Sequence, residues 1–256
     1  PLIEVITQLV DPEPEDTVHD PAVGTGGFLL AAYDHMKAKP AARDRNVARD
    51  LREKKLSGTD IVAEVVRLCA MNLYLHGIGG TTSPVLQKDA LLDRGDKAFD
   101  VILTNPPFGK RQSFRIVRED GGIDSERQDY VRDDFTVTTG NKQLNFLQHI
   151  KTIMGQGGRA AVVVPDNVLF EGGAGETIRK RLLAGFDVHT LLRLPTGIFY
   201  AQGVKANVLF FDKRPGREAP WTETLWIYDL RTNKHFTLKT NPLQKSDLDE
   251  FVRLYN

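Results

Sequence analysis

FDVILTNPPF, residues 99–108, carries the pattern that decides the fold. Residues 101–103 form a short apolar run, which is typical of a strand that is buried on both faces of a parallel sheet. The run ends at two prolines, and because proline has no backbone N–H to give to a sheet ladder, the strand has to stop there. We therefore expect Asn105 at the carboxyl end of a strand, which is the edge of an open α/β sheet where ligands bind.

The four residues Asn105, Pro106, Pro107 and Phe108 suit a planar ring that carries an exocyclic amino group. The nitrogen of such a group is a poor nucleophile because its lone pair is delocalised into the ring. The Asn105 side-chain carbonyl and the Pro106 backbone carbonyl can accept its two hydrogens, which favours the tetrahedral nitrogen of the transition state. Phe108 offers a stacking surface. The alternative for these residues is a turn that ends a strand and buries a phenylalanine.

A glycine-rich turn follows another strand end in DPAVGTGGF, residues 20–28. Gly24, Gly26 and Gly27 allow a ligand to approach the backbone closely, and the helix predicted after them offers free N–H groups. Their spacing differs from the G-x-G-x-x-G of dinucleotide sites, so the turn favours an amino-acid carboxylate over a pyrophosphate. The alternative is a tight connection between a strand and a helix.

Two further acids are candidates for the site. Asp60 ends LSGTD, residues 56–60, and an acid at the end of a second strand can accept hydrogen bonds from ribose hydroxyls. Asp89, in QKDALL (residues 87–92), could accept a hydrogen bond from the amino group of an adenine ring. Either residue could instead be a helix cap.

These motifs resemble those of adenine-specific DNA methyltransferases. The resemblance implies that Asn105, Pro106, Pro107 and Phe108 are the catalytic motif and that the cofactor is S-adenosylmethionine. The cofactor-binding residues it implies are Asp20, Ala22, Gly24, Thr25, Gly26, Gly27 and Phe28 in the turn, Asp60 and Ile61 at the end of the second strand, and Asp89 and Ala90 farther along the chain. Val23 stands where the family usually has cysteine.

Four other stretches make the chain similar to the modification subunit of type I restriction-modification systems. They are MNLYLHGI (residues 71–78), NFLQHI (145–150), GGRAAVVVP (157–165) and LPTGIF (194–199). The resemblance implies double-stranded DNA, a DNA-specificity subunit, a second copy of this subunit and a restriction (translocase and nuclease) subunit as partners. It also implies that the amino-terminal helical region of the family is absent from this chain.

Strand and helix signals alternate along the chain. Strands are predicted over 101–104, 159–164, 191–194, 204–211 and, near the end, 221–228; helices are predicted over 144–154, 176–183 and 247–255. Alternation of this kind indicates a doubly wound α/β sheet. The resemblance implies a mostly parallel sheet of seven strands, of the S-adenosylmethionine-dependent methyltransferase type, with one antiparallel strand near an edge.

Composition fits a single catalytic domain over residues 1–256. The chain is 41% hydrophobic, which is enough for one substantial core. No apolar stretch approaches the length of a membrane span, and no signal peptide is visible, so we expect a cytoplasmic protein without membrane contact. The one cysteine, Cys69, excludes an internal disulfide, and six scattered histidines predict no metal site. His76 and His149 are interpreted as structural or capping residues.

The balance of charges bears on DNA binding. The 34 basic residues equal the 34 acidic ones, whereas a protein that holds DNA alone usually has a basic surface. We therefore expect a weak autonomous grip on DNA.

Residues 110–140 form a long charged segment without a sustained apolar period. A loop of this length in a compact domain is usually functional or disordered. We expect a mobile segment, either a solvated flap or a lid that contacts DNA or the cofactor pocket.

The sequence thus predicts a site-specific DNA adenine-N6 methyltransferase. The target base would be flipped out of the duplex onto Phe108, with Phe199 or Tyr200 at its opposite face. The alternatives are enzymes that methylate RNA, cytosine or protein glutamine, and a non-catalytic protein of the same fold in a larger complex.

Overall fold

A computed structural model of the chain describes residues 1–108, 113–117, 123–127, 130–199, 204–231 and 236–255. The strands are β1 (Val18–Asp20), β2 (Leu56–Asp60), β3 (Val85–Gln87), β4 (Phe99–Thr104), β5 (Ser113–Val117), β6 (Ile123–Arg127), β7 (Met154–Pro165), β8 (Phe186–Arg193), β9 (Ala206–Lys213) and β10 (Trp226–Asp229). The α-helices are α1 (Leu2–Val10), α2 (Gly27–Lys37), α3 (Arg45–Glu53), α4 (Ala63–Leu75), α5 (Lys142–Ile153), α6 (Asp166–Phe170), α7 (Ala174–Gly185) and α8 (Asp249–Tyr255), with 3-10 helices at Pro40–Arg43 and Lys245–Leu248.

The main sheet has the order β10-β8-β9-β7-β4-β1-β2-β3. Strand β9 is antiparallel to both of its neighbours, and all the other pairs are parallel. The prediction of a doubly wound, mostly parallel sheet is therefore confirmed. Parallel strands end at the same edge, so β1, β2, β3 and β4 bring their carboxyl ends together.

The expected number of seven strands is wrong, since the described part of the chain contains eight strands in this sheet. The additional strand is β10, which pairs with β8 at the far edge. Trp226 and Tyr228 of β10 pack on Phe251 of α8, with ring centroids 5.6 and 5.3 Å from that of Phe251. Strand β10 is thus held by the apolar face of α8. The seven strands that the resemblance implies do not include it.

The core consists of two layers, one on each face of the sheet. Val101 and Leu103 of β4 belong to the layer under α1, α2, α3, α4 and α8, whereas Ile102 belongs to the layer under α5, α6 and α7. This alternation follows from the two-residue period of a strand, and burial on both faces explains the continuous apolar run.

The predicted element boundaries shift by a few residues. The strands predicted over 101–104, 159–164, 191–194 and 204–211 overlap β4, β7, β8 and β9. Helix α5, predicted over 144–154, begins at Lys142 because Asn141 caps it: the Asn141 side chain accepts hydrogen bonds from the backbone N–H groups of Gln143 and Leu144. A cap of this kind fixes where the helix begins.

Residues 110–140 contain regular structure that the sequence did not predict. Strands β5 and β6 form a separate antiparallel pair, from Ser113 opposite Arg127 to Val117 opposite Ile123. Residues 110–112, 118–122 and 128–129 lie outside the described residues. That the segment is mobile stays a prediction.

Thr7 of α1 allows a test of what a buried hydroxyl without a hydrogen-bond partner costs in stability. Its side chain is buried, and its hydroxyl has no hydrogen-bond partner among the described residues. Because an unsatisfied buried hydroxyl costs free energy, we expect Thr7→Val to raise the free energy of unfolding by about 1 kcal/mol. Urea denaturation measures this change.

A matched control for Thr7→Val is Thr177→Val in α7, whose exposed hydroxyl donates to the Gly173 carbonyl. We expect no stabilisation there. A loss of stability in Thr7→Val would show that the Thr7 hydroxyl has a partner in solution.

Candidate active site

In the predicted turn between β1 and α2, the position that most clearly requires glycine is Gly26. Gly26 has φ +87°, and a Cβ placed on it would lie 2.9 Å from the Cys69 Sγ of α4. Both the left-handed backbone and the close approach exclude a larger side chain. Gly24 also has a positive φ, of +53°, but the space around it is open. Gly26 is the N-cap residue of α2, so the free N–H groups of that helix lie in the turn.

Asp20 ends β1 and is buried beneath the turn. Its Oδ1 accepts hydrogen bonds from the Ala22 N–H at 3.0 Å and from the Thr104 hydroxyl at 2.6 Å. Burial raises the pKa of the Asp20 carboxyl to about 7; the two hydrogen bonds lower it, and the nearby negative charge of Asp60 raises it. Asp20, a predicted cofactor-binding residue, therefore makes its hydrogen bonds within the protein, to Ala22 and Thr104.

Asp60 and Asp89 both face a small cavity at the carboxyl edge of the sheet. The Asp60 carboxylate accepts from the Gly24 N–H at 3.3 Å and from the Val62 N–H at 3.0 Å. The Asp89 carboxylate accepts from the Leu91 N–H at 2.9 Å and from the Tyr130 hydroxyl at 3.0 Å.

The cavity between these acids has a volume of about 80 Å³. The residues that line it are Pro21, Ala22, Asp60, Ile61, Lys88, Asp89, Ala90, Leu91, Pro107, Tyr130, Lys142 and Phe146. The predicted residues Ala22, Asp60, Ile61, Asp89 and Ala90 are thus brought together with Pro107 of the catalytic motif. The other predicted cofactor-binding residues lie outside its lining: Asp20, Gly24, Thr25, Gly26, Gly27 and Phe28. The Phe28 side chain is buried in the core.

Besides Pro21, Lys88 and Leu91, which adjoin predicted residues in the chain, sequence reasoning missed three residues of this pocket. Tyr130 lies in the charged segment 110–140, and its pKa is raised by burial and by the neighbouring Asp89. Phe146 of α5 is buried against Tyr130. Its position in the helical pattern is that of an ordinary core residue, so the sequence does not mark it as part of a site. Lys142 at the start of α5 has its pKa lowered by burial, against the opposing charge of Asp89. Motif spacing carries no signal for any of the three.

The catalytic motif leaves β4 beside the cavity. Asn105 and Pro107 are exposed, Pro106 is buried and Phe108 is half-buried. The Phe108 ring meets the Phe199 ring edge-on, with centroids 5.6 Å apart and planes at 89°. Phe199 therefore does not lie parallel to Phe108, as the opposite wall of a base pocket would. Tyr200, the other candidate for that wall, lies outside the described residues.

His76 and His149, interpreted from the sequence as structural or capping residues, both contact other parts of the protein. His76 is the C-cap of α4, and its Nδ1 lies 2.8 Å from the Asn72 carbonyl. His149 is buried against Arg132, and burial together with that positive charge lowers its pKa to about 3. Within the part of the chain that the structure describes, no three acids, histidines or cysteines group as metal ligands would.

No described helix has the length and apolarity that a bilayer crossing requires; the longest, α4, has 13 residues.

Comparison with known proteins adds a family to this geometry. A family model described as N-6 DNA Methylase matches residues 1–256. The StySPI type I restriction enzyme methylase subunit of Salmonella potsdam is 41% identical over 267 residues, covering 100% of this chain and 48% of that protein. The EcoKI methylase subunit of Escherichia coli K12 is 40% identical over 268 residues, again covering 100% of this chain and 48% of that protein. The chain spans about half the length of these relatives.

Solved structures agree with this similarity. The crystal structure of the EcoKI M protein has a TM-score of 0.86 at 40% identity and covers 100% of this chain and 52% of that one. A putative class I S-adenosylmethionine-dependent methyltransferase of Listeria monocytogenes has a TM-score of 0.61 at 16% identity, over 89% of this chain and 62% of that one. At that identity the likeness shows the fold alone, which is the S-adenosylmethionine-dependent methyltransferase fold.

Proposed function

The chain belongs to the N-6 DNA methylase family, and from that premise we propose that it methylates the N6 amino group of adenine in DNA with S-adenosylmethionine as the donor. One observation carries the proposal. Strands β1 and β4 are adjacent and parallel, so the acid-lined cavity and Asn105 open at the same edge of the sheet. A methyl donor that contacts Asp60 and Asp89 at one end and the turn after β1 at the other would then lie beside the acceptors for an amino group.

The chemistry of the cavity fits this cofactor. An ionised carboxylate has about four lone-pair sites, and the two contacts that Asp60 and Asp89 each make to the protein leave sites for ribose hydroxyls and for an adenine amino group. Ile61 and Phe146 provide apolar walls for the adenine ring. The free N–H groups after Gly26 suit a carboxylate. When bound, the cofactor supplies an electrophilic methyl group.

The work of this chain is to present the acceptor nitrogen. The Asn105 side-chain oxygen and the Pro106 carbonyl would accept hydrogen bonds from the two amino hydrogens, so that the lone pair is localised on the nitrogen instead of delocalised into the ring; one of these protons leaves to solvent after transfer. These acceptors act by fixed electrostatics and need no base of shifted pKa. Phe108 would stack on the base after its extrusion from the duplex, which costs a few kcal/mol.

We further propose that the protein acts within a type I restriction-modification complex in the cytoplasm, where its DNA substrate lies. The relatives named above are methylase subunits of type I restriction enzymes. Because the formal net charge is zero, the chain lacks the excess of positive charge that drives non-specific DNA binding. A DNA-specificity subunit would supply sequence recognition; a second copy of this subunit and a restriction subunit would complete the complex.

Methyl transfer to DNA tests the proposal directly. The full-length subunit would be purified alone and together with its specificity subunit, then incubated with labelled S-adenosylmethionine and duplex DNA. We expect label in N6-methyladenine, at one sequence, only when the specificity subunit is present.

Three results would contradict the proposal in different ways. Selective methylation by the subunit alone would remove the need for a partner. Label in cytosine, RNA or protein would change the substrate class. A complex that does not bind S-adenosylmethionine would have to be a non-catalytic assembly protein.

A further inference from the structure

A buried hydrogen bond joins the two parts of the proposed active site. We propose that Thr104 is a positioning residue whose hydroxyl, through the Asp20 carboxylate, holds Asn105 in register with the cofactor turn. This inference rests on the proposed function, because it assigns Thr104 a part in the same methyl transfer.

The bond lies where the two chain segments leave the sheet. Thr104 is the last residue of β4, is fully buried and immediately precedes Asn105. Its Oγ1 donates to the Asp20 Oδ1 at 2.6 Å, and the same oxygen accepts from the Ala22 N–H at 3.0 Å. A single carboxylate oxygen therefore contacts both the first residues of the turn and the residue before Asn105.

Backbone pairing cannot supply this link. The paired residues of β1 and β4 are Val18 with Val101 and His19 with Ile102, both of which precede the bond. Beyond these pairs Asp20 still pairs with Gly58 of β2 and Thr104 with Val162 of β7, so each strand end is held by its other neighbour. A displacement of about 1 Å at a reacting group can cost a hundredfold in rate, so the side-chain bond acts where alignment matters.

Burial of an ionised carboxylate costs free energy, so a purely structural contact would not need one. Burial raises the pKa of the Asp20 carboxyl to about 7, so the ionised form is kept at a cost. Apolar residues would join two buried strand ends without that cost. A carboxylate, in contrast, can accept from Ala22 and Thr104 at once.

Two other titratable groups face Asp20. Asp60 at the end of β2 raises the pKa of Asp20 by its like charge. Cys69 of α4 stays neutral, since burial raises the pKa of its thiol to about 12. The Thr104 hydroxyl lowers the pKa of Asp20, so its removal should raise that pKa. Protonation of Asp20 weakens both hydrogen bonds to its Oδ1, because a neutral carboxyl oxygen is a weaker acceptor than an ionised one.

The test is the pH profile of single-turnover methyl transfer by the full complex, at saturating S-adenosylmethionine and duplex. For the wild type we expect the rate to fall as the pH decreases through about 7, with protonation of Asp20. In Thr104→Val we expect a rate about tenfold lower and an acidic limb displaced upward by about one pH unit, the shift that loss of one such bond causes. Thr104→Ser, which keeps the hydroxyl, should restore both.

Two further variants separate positioning from stability. Thr59→Val removes another buried threonine hydroxyl, which donates to the Pro21 carbonyl at 3.2 Å and is not one of the donors to the Asp20 carboxylate; its acidic limb should stay in place. Asp20→Asn keeps an acceptor oxygen but cannot titrate, so its acidic limb should disappear. This variant tests the idea even if Thr104→Val does not fold.

The outcomes are distinguishable. A wild-type complex that transfers no methyl group to DNA would overturn the proposed function and this inference with it. An active wild type with the same rate and acidic limb in Thr104→Val, or with the acidic limb retained in Asp20→Asn, would overturn the inference alone. A rate loss in Thr104→Val that Thr104→Ser does not restore would also overturn it.

Discussion

Asn105→Ala is expected to reduce methyl transfer at least a hundredfold while it leaves the affinity for S-adenosylmethionine nearly unchanged. The reason is that Asn105 supplies one of two acceptors aimed at the amino group, and loss of one preorganised partner of this kind costs about 10²–10³ in rate. The side chain is exposed and lies outside the cofactor cavity, so its removal should not disturb cofactor binding. Single-turnover transfer and calorimetry measure the two quantities.

The matched control for Asn105→Ala is Asn46→Ala, which removes an exposed asparagine from α3. It should keep the full rate. If Asn105→Ala retained more than about a tenth of the wild-type rate, the side-chain oxygen could not be an essential acceptor.

Asp60→Ala is expected to weaken cofactor binding by about 1.5–3 kcal/mol, the range for hydrogen bonds to a charged group. The carboxylate would accept ribose hydroxyls, and it also supports the turn through the Gly24 N–H. Both effects act on the bound cofactor, so the dissociation constant should rise while the rate at saturation changes less. Isothermal calorimetry on the complex gives the affinity.

Asp34→Ala is the control for the change in charge, because Asp34 is an exposed acid farther along α2. Its cofactor affinity should equal that of the wild type. Unchanged affinity in Asp60→Ala would reassign Asp60 to a structural role in the turn before α4, where its carboxylate accepts from the N–H of Val62, the N-cap residue.

The positions of the strand ends could be predicted from the sequence because their causes are local. An apolar run buried on both faces and two prolines define the end of β4, and glycine spacing defines the turn after β1. Asp60 ends the second predicted strand, and it lines one cavity together with Asp89, for which the sequence predicts no strand end. Local patterns therefore predicted which side chains reach the edge of the sheet.

The contacts between those side chains could not be predicted, because they join distant parts of the chain. Thr104 and Asp20 are 84 residues apart, and Tyr130 reaches Asp89 across 41 residues. Neither pair has a periodicity or a motif that marks it. Strand β10 overlaps the strand predicted over 221–228, but its place as the eighth strand of the sheet depends on packing against α8, which no local pattern marks.

The order of the strands has a consequence for synthesis of the protein on the ribosome. Strand β9 lies between β7 and β8, although it follows both in the chain. Until β9 has emerged, the facing edges of β7 and β8 have no partner, and unpaired strand edges invite association with other chains. The half of the sheet that contains β7, β8 and β9 can therefore close only after residue 213 has left the exit tunnel, and a shorter nascent chain exposes two strand edges to other chains.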